Sequence, residues 1–229
     1  MGGPSTRKLT RDDKKSVFLN AFTPQLDILT PTIEANMKLY YTPKSHYARK
    51  VRILIDALDL PVALVDIQDV TGQSAQLFAD NPMMKVPTLT DGEVSVFESD
   101  HIAQYLVRRF DTEDRFQVLT TDPQQLNLRA VMNGVMAAEV EVILAERTGL
   151  DTQGVKRFDK HREVVNQGMR WLESNAGLLA EQPTYNGFHL VSLWDHLVLY
   201  KQYSLDYPKL NRRYQQLSQL DFVAQSSPL

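Results

Sequence analysis

At 229 residues and 43% hydrophobic, the chain is long enough for one large domain or two small ones with a real core. A formal charge of −3, with lysines and arginines interspersed among acids, leaves no basic stripe for nucleic acid or an anionic membrane surface. The absence of cysteine excludes disulfides, thiolate metal sites, cysteine nucleophiles and dithiol redox chemistry by the protein itself.

Residues 1–36 read as a weakly structured extension. Gly2, Gly3, Pro4 and Ser5 precede a charged run, and Pro24, Pro31 and Asn36 interrupt the stretch after it, leaving room for a short helix near Lys15 to Phe22. The charged stretch from Arg7 to Lys15 is no secretory h-region, and Asp12 and Asp13 argue against an organelle transit peptide. No apolar run approaches the roughly 20 residues that span a bilayer. A cytoplasmic protein is expected.

From Met37 the elements alternate. Lys38 to Tyr41 is a short β-rich run ended by Thr42-Pro43. The spacing of Ala48, Val51, Ile55 and Leu58 predicts a helix over 45–58 with one apolar stripe, leaving Arg49, Lys50, Arg52 and Asp56 facing water. Val62 to Ile67 reads as a strand, and Ser74 to Asp80 as a short helical piece stopped by Asn81-Pro82. Thr88–Thr90 and Glu93–Phe97 flank Asp91-Gly92, a hairpin signal of type I′. A helix over 99–109 follows, with Arg108 and Arg109 complementing the dipole at its end. The order β-α-β-α-β-β-α implies a mixed sheet in a domain spanning 37–111.

After a linker over 112–121 the pattern is helical to residue 229, so the fold class is α/β followed by all-α. Asp122-Pro123 looks like an N-cap with proline at the first helical position. Val131, Val135, Ala138, Val142 and Ala145 form one long stripe, and its small alanines suit a close neighbour. Phe158, His161, Val165, Gly168 and Leu172 form the next stripe. Asn186-Gly187 reads as a turn, and Ser192 with Asp195 as an S-x-x-D capping pattern opening the following helix. Leu210, Tyr214 and Leu217 mark a final helix.

Three local features carry chemistry, each with a plainer structural reading beside it. Ser45 stands at a helix N-terminus, where unpaired N–H groups and the dipole favour an anion, and it is equally what an ordinary N-cap requires. Val86-Pro87 precedes a strand; a cis-proline there would free the Val86 N–H and C=O for an extended peptide-like ligand, while a simple strand-start proline fits too. Glu98 and Ser99 sit where strand hands over to helix, suited to an ammonium and a carboxylate respectively, or to plain capping. His46, His101, His161, His189 and His196 are scattered and read as surface or packing histidines, so no metal site is expected.

Taken together, the stretch from Met37 to Ser45 with Tyr47 to Arg52 behind it, Asn81 to Leu89, and Asp91-Gly92 through Asp100 resemble bacterial glutathione transferases. Val191 to Asp195 and Tyr207 to Leu210 are similar to weaker motifs of that family. The resemblance implies a thioredoxin-like N-terminal domain packed on a helical bundle, dimerisation, and glutathione as co-substrate with no other cofactor. Glutathione would lie along Val86 near Lys85, its γ-glutamyl end at Glu98 and Ser99. Its thiol would point at Ser45, with Tyr41 as the rival hydrogen-bond donor and a small electrophile as the second substrate. Pro87, Ser192 and Asp195 would be structural. Lys85 stands where many relatives have Gln, and His46 where one bacterial class has Cys, which removes that class's mixed-disulfide chemistry. Trp194 and His196 make the second capping pattern bulkier than usual. A non-catalytic binding or regulatory module on the same fold is the alternative.

Overall fold

The computed structural model describes residues 1–3, 37–68 and 70–229, and Glu34–Leu229 form one unit. The short helix expected near Lys15 to Phe22 lies outside the described residues. Four strands, β1 (Met37–Tyr41), β2 (Val62–Asp66), β3 (Thr88–Asp91) and β4 (Val94–Phe97), form a mixed sheet in the order β2-β1-β3-β4. β1 runs parallel to β2 because the helix α1 (His46–Ala57) crosses over between them. β3 and β4 are antiparallel neighbours joined by a tight turn. Helix α2 (Ser99–Phe110) returns over the sheet, giving the expected thioredoxin-like βαβαββα order with a single turn of 3-10 helix at Ala75–Phe78.

Met37, Leu39 and Leu89 of the sheet pack against Val51 and Ile55 of α1 and Ile102 and Leu106 of α2, so both helices cover the same face. The hairpin differs from expectation by one residue. Asp91 pairs with Val94, so the loop is Gly92-Glu93, and of these only Gly92 has positive φ (59°), as in a type II′ rather than a type I′ turn. Asp91 is retained in the strand, where its carboxylate accepts from Tyr105 Oη at 2.8 Å and pairs with Arg109.

The helical region consists of α3 (Pro123–Arg147), α4 (Lys156–Ser174), α5 (Tyr185–Tyr200), α6 (Pro208–Ser218) and the short α7 (Asp221–Ala224). Asp122 caps α3 as expected, accepting from the Gln124 N–H at 3.1 Å ahead of Pro123 at the first helical position. Val135 and Met136 of α3, Val165 and Met169 of α4 and Leu193 and Leu197 of α5 share one core. Every residue from Tyr185 to Leu197 is buried, which makes α5 the central helix of the unit.

That position corrects the reading of its N-terminus. Asn186-Gly187 is no turn, and Ser192 and Asp195 do not cap; all four lie inside α5, which starts at Tyr185 behind Thr184. Thr184 Oγ1 accepts from the Gly187 N–H at 3.2 Å, the cap that the sequence pattern assigned to Ser192. Asn186 is held in the helix by Arg129 and Gln125, and a Cβ on Gly187 would stand 2.9 Å from Leu217 Cδ1, so the glycine serves close packing. Ser192 merely donates back to the Phe188 carbonyl at 2.8 Å.

The second correction concerns α1. Arg49 is 2% and Lys50 0% exposed, because α5 lies across the face of α1 opposite the sheet. Asp195 of α5 pairs with the Arg49 guanidinium, whose Nε and Nη1 also donate to Ser226 Oγ and the Val191 carbonyl. The residue expected to cap a helix instead neutralises a buried charge of another helix.

Candidate active site

Strand register brings the sequence-predicted residues together. Tyr40 of β1 pairs with Thr88 of β3, and Thr88 with Phe97 of β4. The residues next along, Tyr41, Pro87 and Glu98, therefore end three neighbouring strands at the same edge of the sheet. Ser45 opens α1 four residues beyond Tyr41 at that same edge, and Ser99 opens α2 directly after Glu98.

Ser45 has extended backbone, its N–H donates to the Thr42 carbonyl at 3.1 Å, and its Oγ accepts from the Ala48 N–H at 3.2 Å. It is thus a true N-cap. The hydroxyl hydrogen has no acceptor among the described residues, nor do the N–H groups of His46 and Tyr47 that follow it. A cap that accepts from the helix and retains a free hydrogen is suited to an anion beyond the helix end. Tyr41 is arranged differently: the Arg52 guanidinium lies 4.6 Å from its ring centroid, and its hydroxyl makes no hydrogen bond among the described residues.

The Val86–Pro87 peptide bond is cis. Neither the N–H nor the C=O of Val86 is hydrogen-bonded among the described residues, so an extended backbone could pair with it as an added strand. Lys85 is exposed, while its carbonyl is fixed by Asn81 Nδ2 at 3.1 Å and Thr88 Oγ1 at 3.3 Å. These contacts hold the loop and leave the Lys85 ammonium free to reach a carboxylate.

Glu98 has φ 68° and ψ 130°, a left-handed conformation that costs a non-glycine residue about 1–3 kcal/mol and persists only where its surroundings impose it. The surroundings here are a buried polar network behind it. Asp100, in the first turn of α2, accepts from Lys50 Nζ at 2.7 Å, Asn133 Nδ2 at 2.7 Å and Tyr185 Oη at 2.9 Å, with the Ser99 carbonyl 3.3 Å from the same tyrosine oxygen. α1, α3 and α5 thereby all grip the start of α2. Ser99 is buried to 4% exposure and Glu98 is exposed, so the one is positioned and the other reaches out.

Burial raises the cost of ionising Asp100, but the Lys50 ammonium and the hydrogen bonds from Lys50 and Asn133 outweigh it and hold the carboxyl well below the usual range. Burial pulls Lys50 down to about 8, against the opposing pull of Asp100. Both groups are charged at neutral pH. Sequence reading missed Lys50, Asn133 and Tyr185 as supports of Ser99, since nothing in local periodicity relates four separate helices. The one available signal was α5, whose long apolar run marks a central helix that must cover its neighbours' charges.

Sequence reading also found the histidines scattered. Behind the first turn of α1, however, His46, Glu139 of α3 and His196 of α5 converge in a buried cluster, their potential metal-ligating atoms all within 4.8 Å of one another.

Residues 39–114 match the family described as Glutathione S-transferase, N-terminal domain. Glutathione S-transferase 1 of Manduca sexta is 35% identical over 92 residues, 39% of this chain and 42% of that protein. Human glutathione S-transferase theta-1 is 33% identical over 103 residues, 44% of this chain and 41% of that protein. The chain spans about half the length, or somewhat less, of these curated relatives. Among solved structures, a glutathione S-transferase from Methylobacillus flagellatus with glutathione bound superposes with a TM-score of 0.73 at 23% identity, covering 84% of this chain and all (100%) of that one. A Pseudomonas fluorescens family member with bound glutathione gives 0.70 at 22% identity, covering 84% and 99%. At such identities the superpositions establish the fold alone, and the sequence similarity to glutathione S-transferases lies in the N-terminal domain, over residues 39–114.

Proposed function

We propose that the chain is a glutathione transferase in which Ser45 stabilises the glutathione thiolate for attack on a small apolar electrophile. The observation that carries this reading is the uncommitted hydrogen of the Ser45 hydroxyl, at a helix end whose first N–H groups also lack acceptors. A hydrogen bond from Ser45 together with the helix dipole lowers the pKa of a thiol that starts near about 8.5. The free backbone of Val86 suits the cysteinyl unit of the tripeptide. Glu98 suits its α-ammonium, Ser99 its γ-glutamyl carboxylate, and Lys85 its glycine carboxylate. Pro87 shapes the loop. The protein contributes a better nucleophile and its orientation, not a covalent intermediate.

In this reading residues 37–111 are the glutathione domain, 112–121 a linker and 122–229 the helical domain, with 1–36 an extension. The protein would act as a cytoplasmic homodimer in detoxification. Among the described residues no helix is long and apolar enough to cross a membrane.

The test compares Ser45→Ala with Tyr41→Phe. Ser45→Ala should lower turnover roughly ten- to a thousand-fold, the range for losing one donor to a stabilised anion. Glutathione affinity should change little, and thiolate absorbance near neutral pH should fall. Tyr41→Phe should retain turnover; the opposite pattern moves the donor role to Tyr41. If the parent forms no thiolate and turns over none of several electrophiles, the fold serves as a non-catalytic binding module instead.

A further inference from the structure

We propose that His46, Glu139 and His196 bind one divalent transition-metal ion, with Zn2+ as the reference ion, as a buried clip joining α1 to α3 and α5. The three side chains are 2%, 0% and 5% exposed, so none reaches solvent to satisfy its polar atoms. Both ring nitrogens of His46 and both carboxylate oxygens of Glu139 lack any hydrogen-bond partner among the described residues. His196 Nδ1 stands 2.8 Å from Glu139 Oε2 but is not aligned to donate to it. Close approach without a hydrogen bond leaves both atoms buried and unsatisfied.

An unpaired buried carboxylate beside two unsatisfied imidazoles is costly to keep away from water. A divalent cation would neutralise the one and engage the others at once. Two imidazoles and one carboxylate are a donor set that first-row divalent ions accept. Ligand atoms about 2.1 Å from a common ion lie at most about 4.2 Å apart. In the tetrahedral geometry of a structural site they lie about 3.4 Å apart, so a pair at the 4.8 Å limit closes by about 1.4 Å, shared between its two side chains.

His46 packs on the His196 ring, with centroids 4.0 Å apart. Tyr203 supplies a further buried hydroxyl without a partner among the described residues, close enough to feel the charge of Glu139. Because the site is closed to solvent, the ion's role is structural. It would hold the first turn of α1, and with it the position of Ser45, against the helical domain. The proposal does not depend on glutathione being the substrate.

The experiment uses the full untagged chain, stripped with a chelator and dialysed, without glutathione. Titration with ZnCl2, followed calorimetrically and by elemental analysis after desalting, should give one equivalent and a raised thermal midpoint. Glu139→Gln, which preserves shape, should weaken Zn2+ at least about 100-fold and abolish the midpoint rise, whereas exposed His101→Ala should do neither. The X-ray absorption spectrum of the zinc-loaded parent reads the ligand set with no substitution at all, so the test survives a variant that fails to fold. Two imidazoles with oxygen donors are expected. No stoichiometric uptake, an unchanged titration in Glu139→Gln, or a spectrum with fewer than two imidazoles would overturn the proposal.

Discussion

α1 and α4 present the same kind of sequence, an apolar stripe at helical spacing with charges on the remaining faces, yet they end in opposite environments. On α4, Arg157, Glu163 and Arg170 remain in water, and the Arg170–Glu163 pair at 3.1 Å has both partners 56% exposed. On α1, Arg49 and Lys50 are enclosed, each held by an acid from a different helix. The stripe on each helix faces its first neighbour, the sheet for α1 and α3 for α4. α1 alone is also covered by α5, so its charged side had to be paired internally. An amphipathic pattern therefore identifies one buried face and is silent about a second.

The largest expected effect comes from breaking the buried side. Asp195→Ala leaves Arg49 charged and enclosed, which should cost about 3–5 kcal/mol in denaturant unfolding. A loss below about 1 kcal/mol would mean that water reaches Arg49 and that α1 is no more enclosed than α4.

Lys50 gives the same contrast a pH signature. Its folded pKa of about 8 lies below the ordinary value of 10.5, so between these values the unfolded chain binds more protons and stability rises with pH. The rise should total roughly 3 kcal/mol at most and be absent in Lys50→Met. The buried hydroxyl of Tyr185, pushed well above its ordinary 10.0 by burial and then by Asp100, acts in the opposite sense only above about pH 10. Unfolding of parent and variant at pH 7.5, 9 and 10 separates the two.

Close packing on the apolar side of α4 predicts a smaller effect. A Cβ at Gly168 would come within 2.3 Å of Val135 Cγ2, so Gly168→Ala must push α4 away from α3 or displace that valine. The expected loss is about 1–3 kcal/mol, against the gain in helix propensity that alanine brings at an open site. An increase in thermal midpoint would show that the two helices separate freely.

The solvated face of α4 should be nearly inert. Glu163→Ala, which removes the exposed pair with Arg170, should shift stability by no more than about 0.5 kcal/mol and less still at high salt. A loss comparable to that of Asp195→Ala would erase the distinction between the helices.

Much of the fold was legible because it is written locally. Stripe spacing gave α1 to α4, Asp122-Pro123 gave the start of α3, and the alternation of short β-rich runs with helices gave the order of the sheet domain. The candidate site was legible for a related reason: Ser45, Val86, Glu98 and Ser99 lie at element boundaries, and boundaries carry their own chemistry in caps, prolines and turns. Asn186-Gly187 shows the limit of such signals. A dipeptide that favours a turn was drawn into α5 by the Thr184 cap, by contacts to Arg129 and Gln125, and by the close approach of Leu217.

By itself, then, the sequence determined which segments become helix or strand and which polar residues stand where those elements end, since both follow from short-range sterics and backbone hydrogen bonding. Tertiary structure alone decided which charges are buried and with whom. Arg49 and Asp195 are 146 residues apart, Lys50 and Asp100 are 50, and His46, Glu139 and His196 come from three helices. Such pairings depend on a second layer laid across α1, and the energy that enforces them, the cost of leaving a charge unpaired away from water, arises only once that layer is in place.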